Sequence, residues 1–199
     1  MKLPQKFYNR NTLKVAQGLL GKILARKYRG KILSGMIVET EAYAGEEDKA
    51  CHASKGMTER NKIMFGKAGH AYIYMIYGMY YCLNIVTEKE KYPAAVLIRA
   101  IEPIEGIEAM KKYRDVRPIN KLTPLTNGPG KLCQALKIDI KLNGENLSGD
   151  KIRIEDRGVM TERRDIVKAK RVGIDYAGKS RNYLWRFYIE GNNFVSQYK

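Results

Sequence analysis

A cluster of tyrosines in one short segment constrains the fold of this chain more than any other feature. Between residues 70 and 84 lie five of its 14 tyrosines, namely Tyr72, Tyr74, Tyr77, Tyr80 and Tyr81. From residue 70 to residue 76 the pattern alternates, so the even-numbered residues share one face of a strand. Tyr77-Gly78-Met79 interrupts this pattern, and a second strand-like run continues through Asn84. The segment therefore predicts a β-hairpin with Tyr77-Gly78-Met79 at its tip.

Two interpretations of this hairpin are open from the pattern. It could be an aromatic-rich part of the core, since aromatic residues favour strands. Tyrosine is amphipathic, however, and its hydroxyl needs a partner when it is buried. So many tyrosines in one hairpin also suit a platform on which a flat ligand stacks.

The charge of the chain indicates a polyanionic partner. The net charge is +16, and residues 1–38 contain nine Lys or Arg and no Asp or Glu. Such a surface favours nucleic acid first and an anionic membrane second. A generally lysine-rich proteome is the simpler alternative explanation. No basic amphipathic helix with bulky apolar residues appears in the pattern, which argues against the membrane.

Length and composition predict one globular domain, or at most two small ones, in 199 residues. No run of about 18 apolar residues predicts a transmembrane helix, and the first residues lead into no apolar signal core. We therefore expect a cytoplasmic protein. Cys51, Cys82 and Cys133 are odd in number and widely spaced, which predicts reduced, structural thiols. His52 and His70 complete no metal-ligand spacing, so no metal is expected.

Two carboxylates and an arginine are the candidate catalytic groups. Along the predicted strand 32–43, Glu39 and Glu41 share one parity with Ile37 and Tyr43. Pattern alone does not choose between the two carboxylates, and a solvent-facing edge would also explain them. Arg99 lies inside the apolar strand 94–101, which Glu102-Pro103 is expected to end. A buried arginine needs an acidic or carbonyl partner.

These features together suit an enzyme that acts on a nucleic-acid base. Such an enzyme extracts the base from the stack, holds it between aromatic walls and fills the vacated space. A carboxylate can then activate a water that attacks the sugar. A metal hydrolase that uses Glu39, Glu41 and His52 is a weaker alternative, because their spacing is not that of a metal site.

The motifs resemble those of the alkyladenine (3-methyladenine) DNA glycosylase family, in the same order and over nearly the whole chain. They are Val38-Glu39-Thr40-Glu41-Ala42-Tyr43, His52, Met64-Phe65, Tyr72-Ile73-Tyr74-Met75-Ile76-Tyr77-Gly78-Met79-Tyr80, Asn84, Leu97-Ile98-Arg99-Ala100, Glu102-Pro103, Gly130-Lys131-Leu132-Cys133-Gln134-Ala135-Leu136 and Arg171-Val172-Gly173.

The resemblance implies a single glycosylase domain over residues 1–199. Its expected fold is α+β, with a curved antiparallel sheet, surrounding helices and a protruding hairpin. The implied activity is monofunctional: a damaged purine is flipped from duplex DNA and its N-glycosidic bond is hydrolysed, without strand cleavage. The implied partner is double-stranded DNA, bound by a monomer without a cofactor. The alternative is a nucleic-acid-binding module without catalysis.

The same resemblance assigns catalytic roles to three positions. Glu41 corresponds to the general base, a choice that the pattern left open. Arg99 and the main chain of Val172 correspond to groups that hold the nucleophilic water beside it.

Five further positions correspond to residues that contact the base or the duplex. Tyr43, His52 and Tyr74 match the stacking walls around the flipped base. Asn84 matches a residue that disfavours normal guanine by crowding its amino group, and Tyr77 matches the side chain that wedges into the duplex. Cys51 and His70 lie next to motif positions and depart from the family's pattern. The sequence therefore does not determine the shape of the pocket or which lesions it accepts.

Overall fold

The longest strand of the protein, β2, lies inside a single antiparallel sheet and pairs with three other strands. The structure is a computed structural model, and it describes residues 1–115, 122–159 and 161–196. The strands in this part of the chain are Ile23–Tyr28 (β1), Lys31–Ala44 (β2), Ala71–Ile76 (β3), Tyr80–Val86 (β4), Ala94–Glu105 (β5), Ile152–Glu155 (β6), Ile166–Ala169 (β7) and Arg186–Ile189 (β8).

The α-helices are short and flank this sheet. They are Gln5–Tyr8 (α1), Thr12–Gly18 (α2), Ile107–Arg114 (α3) and Pro129–Ala135 (α4). Asn11 caps α2, because its side chain accepts a hydrogen bond from the Lys14 amide. The sheet runs in the order β3-β4-β5-β2-β1-β6, and β8 joins β2 to β7. It does not close into a barrel, so the predicted α+β fold with an antiparallel sheet is confirmed.

One large apolar core lies between the helices and the sheet. It combines α2 and α4 residues such as Val15 and Leu132 with sheet residues such as Ile73 and Val96. A smaller cluster contains Cys51, Met64 and Tyr72, with Tyr43 and Tyr74 packed against it. The hairpin β3–β4 therefore packs on the large core through one face, while its tyrosine-bearing face packs in the smaller cluster.

The centre of the sheet departs from the predicted alternation. Ile37 packs in the same core as Ala42, although it was predicted to share a face with Glu39 and Glu41. The register between β2 and β5 shifts on both sides of Glu39, and this irregularity turns Ile37 away from the carboxylates. The alternative of a solvent-facing edge is also wrong, because both carboxylates are buried in a strand with neighbours on both sides.

Other predictions differ in their boundaries. The proline of Glu102-Pro103 does not end β5, which continues to Glu105. Pro103 lies opposite Gly35 at a third register shift, where proline is tolerated. Residues 58–65 contain a 3₁₀ turn at Lys62–Phe65, and another such turn forms at His52–Lys55. In the turn-rich segment 114–130, residues 116–121 lie outside the described residues.

Candidate active site

A cavity of ≈ 760 Å³ opens between the tyrosine face of β3–β4, the end of β2 and the loop that follows β7. Its walls contain every position that the resemblance assigns, with the exception of Glu41. Tyr72, Tyr74 and Asn84 come from the hairpin, Tyr43 comes from β2, and Val172 comes from the loop. The volume lies within the range typical of small-molecule sites.

Aromatic rings form one side of this cavity. The rings of His52 and Tyr74 meet edge to face, with centroids 4.5 Å apart, and the Tyr72 ring lies 5.5 Å from that of Tyr74. Nδ1 of His52 and the Tyr72 hydroxyl are 2.8 Å apart, which is hydrogen-bond distance. The resemblance gave Tyr72 no role in the site, yet alternation along β3 places it beside Tyr74, and that signal was present in the sequence.

His52 is held in place and kept neutral. Desolvation, followed by the positive charge of Arg60, lowers its pKa to about 4. The buried Asn61 side chain donates to the carbonyl oxygens of His52 and Gly56, at 3.0 Å each, and so fixes the loop that carries the imidazole. At neutral pH the imidazole therefore adds no charge to the cavity.

Asn84 lies opposite Tyr72 in the hairpin and lines the cavity. Its Nδ2 donates to the Tyr72 carbonyl at 3.2 Å, and the residue is almost completely buried. The amide is therefore fixed in orientation, and a bound ligand would meet a rigid group rather than a mobile one.

Glu41 lies immediately behind the cavity wall. Its side chain is completely buried, and the three groups that contact its carboxylate all line the cavity. The Val172 amide donates to Oε1 at 2.8 Å, and the Tyr43 hydroxyl donates to Oε2 at 2.7 Å. Nη1 of Arg99 lies 3.3 Å from Oε2. Because a carboxylate offers about four acceptor sites, the contacts made by the described residues leave room for one more donor on Oε1.

Tyr43 is both a wall of the cavity and a ligand of this carboxylate. Burial, followed by the negative charge of Glu41, raises the pKa of Tyr43 well above its ordinary value. The phenol thus keeps its proton and donates it in the hydrogen bond. The resemblance assigned Tyr43 only to stacking, so this second contact was missed.

Arg99 joins the two carboxylates of β2. Its Nε lies 3.3 Å from Oε1 of Glu39, while Nη1 faces Glu41 at the same distance. Both glutamates are completely buried and Arg99 is nearly so. The sequence predicted an acidic or carbonyl partner for this arginine, and the structure supplies two carboxylates.

A second buried ion pair supports the loop that carries Val172. Arg171 forms two hydrogen bonds with the Asp48 carboxylate, at 2.5 and 2.8 Å, and both side chains are inaccessible to solvent. Burial lowers the pKa of Arg171, but the hydrogen bonds and charge of Asp48 outweigh it and the net shift is upward. The guanidinium also lies 4.8 Å from the Tyr43 ring centroid. Asp48 was not singled out from the sequence, where it lies 123 residues before Arg171.

Tyr77 occupies the tip of the hairpin, as predicted. Its side chain is 82% exposed, and the backbone has φ 54°, followed by φ 69° at Gly78. The Met79 amide donates to the Ile76 carbonyl, which closes a tight turn of the primed type. A bulky residue in the left-handed region is strained, and such strain is concentrated at functional positions.

Cations contribute to the lining of the cavity. Arg60 lies 5.4 Å from the Tyr74 ring centroid, and Arg114 and Lys131 also line the cavity. Desolvation, followed by the charge of Arg114, lowers the pKa of Lys131. None of these three was assigned a role from the sequence, although Lys131 falls within a motif quoted for the resemblance.

Comparison with known proteins identifies the family. The methylpurine-DNA glycosylase (MPG) profile matches residues 6–193. This chain belongs to the methylpurine-DNA glycosylase family. A relative from Clostridium acetobutylicum is 52% identical over 100% of this chain and 99% of its own length. Relatives from Alkaliphilus oremlandii and Methanocella arvoryzae are also 52% identical, over 99% and 98% of this chain and 100% and 96% of their own lengths. Each bears the name "Putative 3-methyladenine DNA glycosylase".

Membership of this family confirms the resemblance drawn from the motifs. The two positions that departed from the family's pattern lie outside the cavity wall. Cys51 is buried in the small cluster beside Tyr72, and Nδ1 of His70 lies 2.9 Å from the Lys67 carbonyl. Cys51 therefore bears on the cavity through packing rather than through a direct contact.

Two further features concern metals and membranes. In the described ranges, no three His, Cys, Asp or Glu side chains cluster as a metal site would require. The alternative of a metal hydrolase built on Glu39, Glu41 and His52 thus has no ligand set in this part of the chain. No helix among the same residues combines the length and hydrophobicity needed to cross a membrane.

Proposed function

We propose that this protein is a monofunctional DNA glycosylase that removes alkylated or deaminated purines from duplex DNA. The observation that supports the proposal most strongly is the environment of Glu41. A buried carboxylate behind an aromatic cavity accepts hydrogen bonds from Val172 and Tyr43 and faces Arg99. A binding module without catalysis has no need for this arrangement, because apolar residues can often replace a buried ion pair without loss of stability.

Glu41 is the general base in this proposal. A water held beside Arg99 and the Val172 main chain donates a proton to Glu41 as its oxygen attacks C1′ of the deoxyribose. The C1′–N9 bond breaks, and its electron pair leaves with the purine. The guanidinium of Arg99 lies 3.3 Å from Oε2 of Glu41 and would orient the water toward that carboxylate. The products are the free purine and an abasic site, with the DNA backbone intact.

The cavity holds the flipped purine in this scheme. Tyr43, His52 and Tyr74 supply flat surfaces for it, and Asn84 restricts the space where the amino group of normal guanine would lie. A purine alkylated at a ring nitrogen is cationic, so it leaves more easily and stacks more strongly on tyrosine. A neutral lesion such as hypoxanthine leaves as an anion and takes its proton afterwards, which demands more from the pocket.

Tyr77 keeps the base out of the helix. Its exposed ring at the tip of a strained turn suits insertion into the gap that the flipped nucleotide leaves. The net charge of +16 supplies the attraction to the phosphate backbone. We further propose that the protein acts as a monomer on double-stranded DNA.

Base release from defined duplexes tests this function. Duplexes that contain one hypoxanthine or one 7-methylguanine are incubated with the protein, and the free base and abasic sites are measured, with an undamaged duplex as control. We expect release of the damaged base and strand breaks only after alkali treatment. Binding without release of either base would support the non-catalytic alternative, and strand breaks without alkali would contradict a monofunctional mechanism.

A further inference from the structure

Glu39 has no role in the proposed reaction. Among the described acidic side chains near the cavity, its carboxylate nevertheless has the largest number of polar partners. Four groups approach it: Arg99 Nε at 3.3 Å, Arg186 Nη1 at 3.1 Å, and the amide and hydroxyl of Ser196, both at 2.8 Å. Its side chain is completely buried. A carboxylate this well satisfied is a rigid group, since every change of rotamer would leave buried donors unpaired.

The distances from Arg99 to its two carboxylates are longer than is typical of ion pairs. Charge-assisted N–H···O bonds are typically about 2.7–2.9 Å long. Arg99 instead lies 3.3 Å from each glutamate, with different nitrogens directed at the two carboxylates. The guanidinium thus lies within reach of both carboxylates and is attracted by each of them. If the attraction from Glu39 were removed, Arg99 would close on Glu41 as a tight pair and occupy the oxygen lone pairs that a base needs.

We infer that Glu39 is a positioning residue, anchored by Ser196, that holds Arg99 away from a tight pair with Glu41. The inference rests on the proposed function, in which Glu41 accepts the proton from water. It gives the C-terminal turn a part in catalysis, although Ser196 lies beyond the residues 6–193 that match the family profile. Ser196 acts through Glu39, and Glu39 acts through Arg99, so neither touches the substrate.

A pair of matched variants separates this role from a general loss of structure. Glu39→Gln keeps the shape and an acceptor for the Ser196 amide but removes the negative charge. Glu102→Gln is the control, because Glu102 accepts a hydrogen bond at 2.8 Å from Asn192 in the same C-terminal segment and none from Arg99 among the contacts described. Both variants weaken hydrogen bonds to that segment, and only Glu39→Gln removes a negative charge next to Arg99.

The readouts are the single-turnover rate of hypoxanthine release at saturating protein, the Kd for the lesion duplex and the melting temperature. For Glu39→Gln we expect the rate to fall by about ten- to a hundredfold, as for small misplacements of catalytic groups, with the Kd within about twofold of wild type. For Glu102→Gln we expect both values to remain near those of wild type. In an Arg99→Gln background, Glu39→Gln should lower the rate no further, because the two residues act as one unit.

Two outcomes overturn the inference while leaving the proposed function intact. In the first, wild type is active and Glu41→Gln is not, yet Glu39→Gln releases the base at the wild-type rate. In the second, Glu39→Gln and Glu102→Gln lose activity equally and in proportion to their loss of melting temperature. Failure of the wild type to release any damaged base is a different result, which rejects the proposed function and the inference with it.

Discussion

Replacing Asp48 with alanine should destabilise the protein strongly, because the change strands a buried charge. Arg171 and Asp48 form a two-pronged ion pair with no solvent access. Breaking a buried pair by removing one partner costs about 3–5 kcal/mol. Arg171 keeps hydrogen bonds to the carbonyls of Ala42 and Ser180. We therefore expect a loss near the lower bound, about 3 kcal/mol, and a fall in melting temperature of about 6–12 °C for a chain of this length.

Thermal unfolding followed by circular dichroism measures this change. Glu59→Ala provides a matched control, because the pair between Glu59 and Lys62 is solvent-exposed on both sides. The control should shift the melting temperature by less than about 2 °C, since exposed pairs contribute little. Equal melting temperatures for the two variants would refute the argument that the Asp48–Arg171 pair is a buried structural element.

Three further predictions concern the cavity and the hairpin. His52 is uncharged in the folded state down to pH about 4, so the unfolded chain binds its proton first as the pH falls. The unfolding free energy of wild type relative to His52→Asn should thus decline from pH about 6.5 to about 4, and a pH-independent difference in urea unfolding would contradict this. Tyr77→Ala should weaken binding to a lesion duplex more than to an undamaged one, because the wedge stabilises only the flipped state; equal losses in a titration would reject that role. Asn84→Ser should increase release of normal guanine from undamaged DNA. A rate of guanine release equal to that of wild type would show that Asn84 does not discriminate against guanine.

The strands that build the site were largely predictable from sequence. Alternation placed Tyr74 on one face of a hairpin with Tyr77 at its tip, and parity placed Glu39 and Glu41 on a common face. These patterns are local, because a strand's period of two fixes the direction of each side chain. Ile37 was placed wrongly because a register shift depends on the partner strand, which the local pattern does not contain.

The partners of each catalytic candidate were not predictable in the same way. Glu41 accepts one of its hydrogen bonds from Val172, which lies 131 residues away in the chain. Glu39 accepts one from the Ser196 amide, which lies 157 residues away. Asp48 and Arg171 are similarly distant in the chain. Periodicity carries no information about such contacts, so the choice of Glu41 over Glu39 came from the resemblance of motifs. The lowered pKa of His52 likewise depends first on its burial and then on the charge of Arg60, and both follow from the fold.

The central claim is that Glu41 activates the attacking water, and Glu41→Gln tests it most directly. The substitution preserves shape and an acceptor for the Val172 amide but removes the basic oxygen. Single-turnover release of hypoxanthine and binding to the same duplex are measured for wild type and variant. We expect the variant to bind the lesion duplex with a Kd close to that of wild type and to release base at least about a hundredfold more slowly. A variant that releases base as fast as wild type would show that Glu41 is not the base.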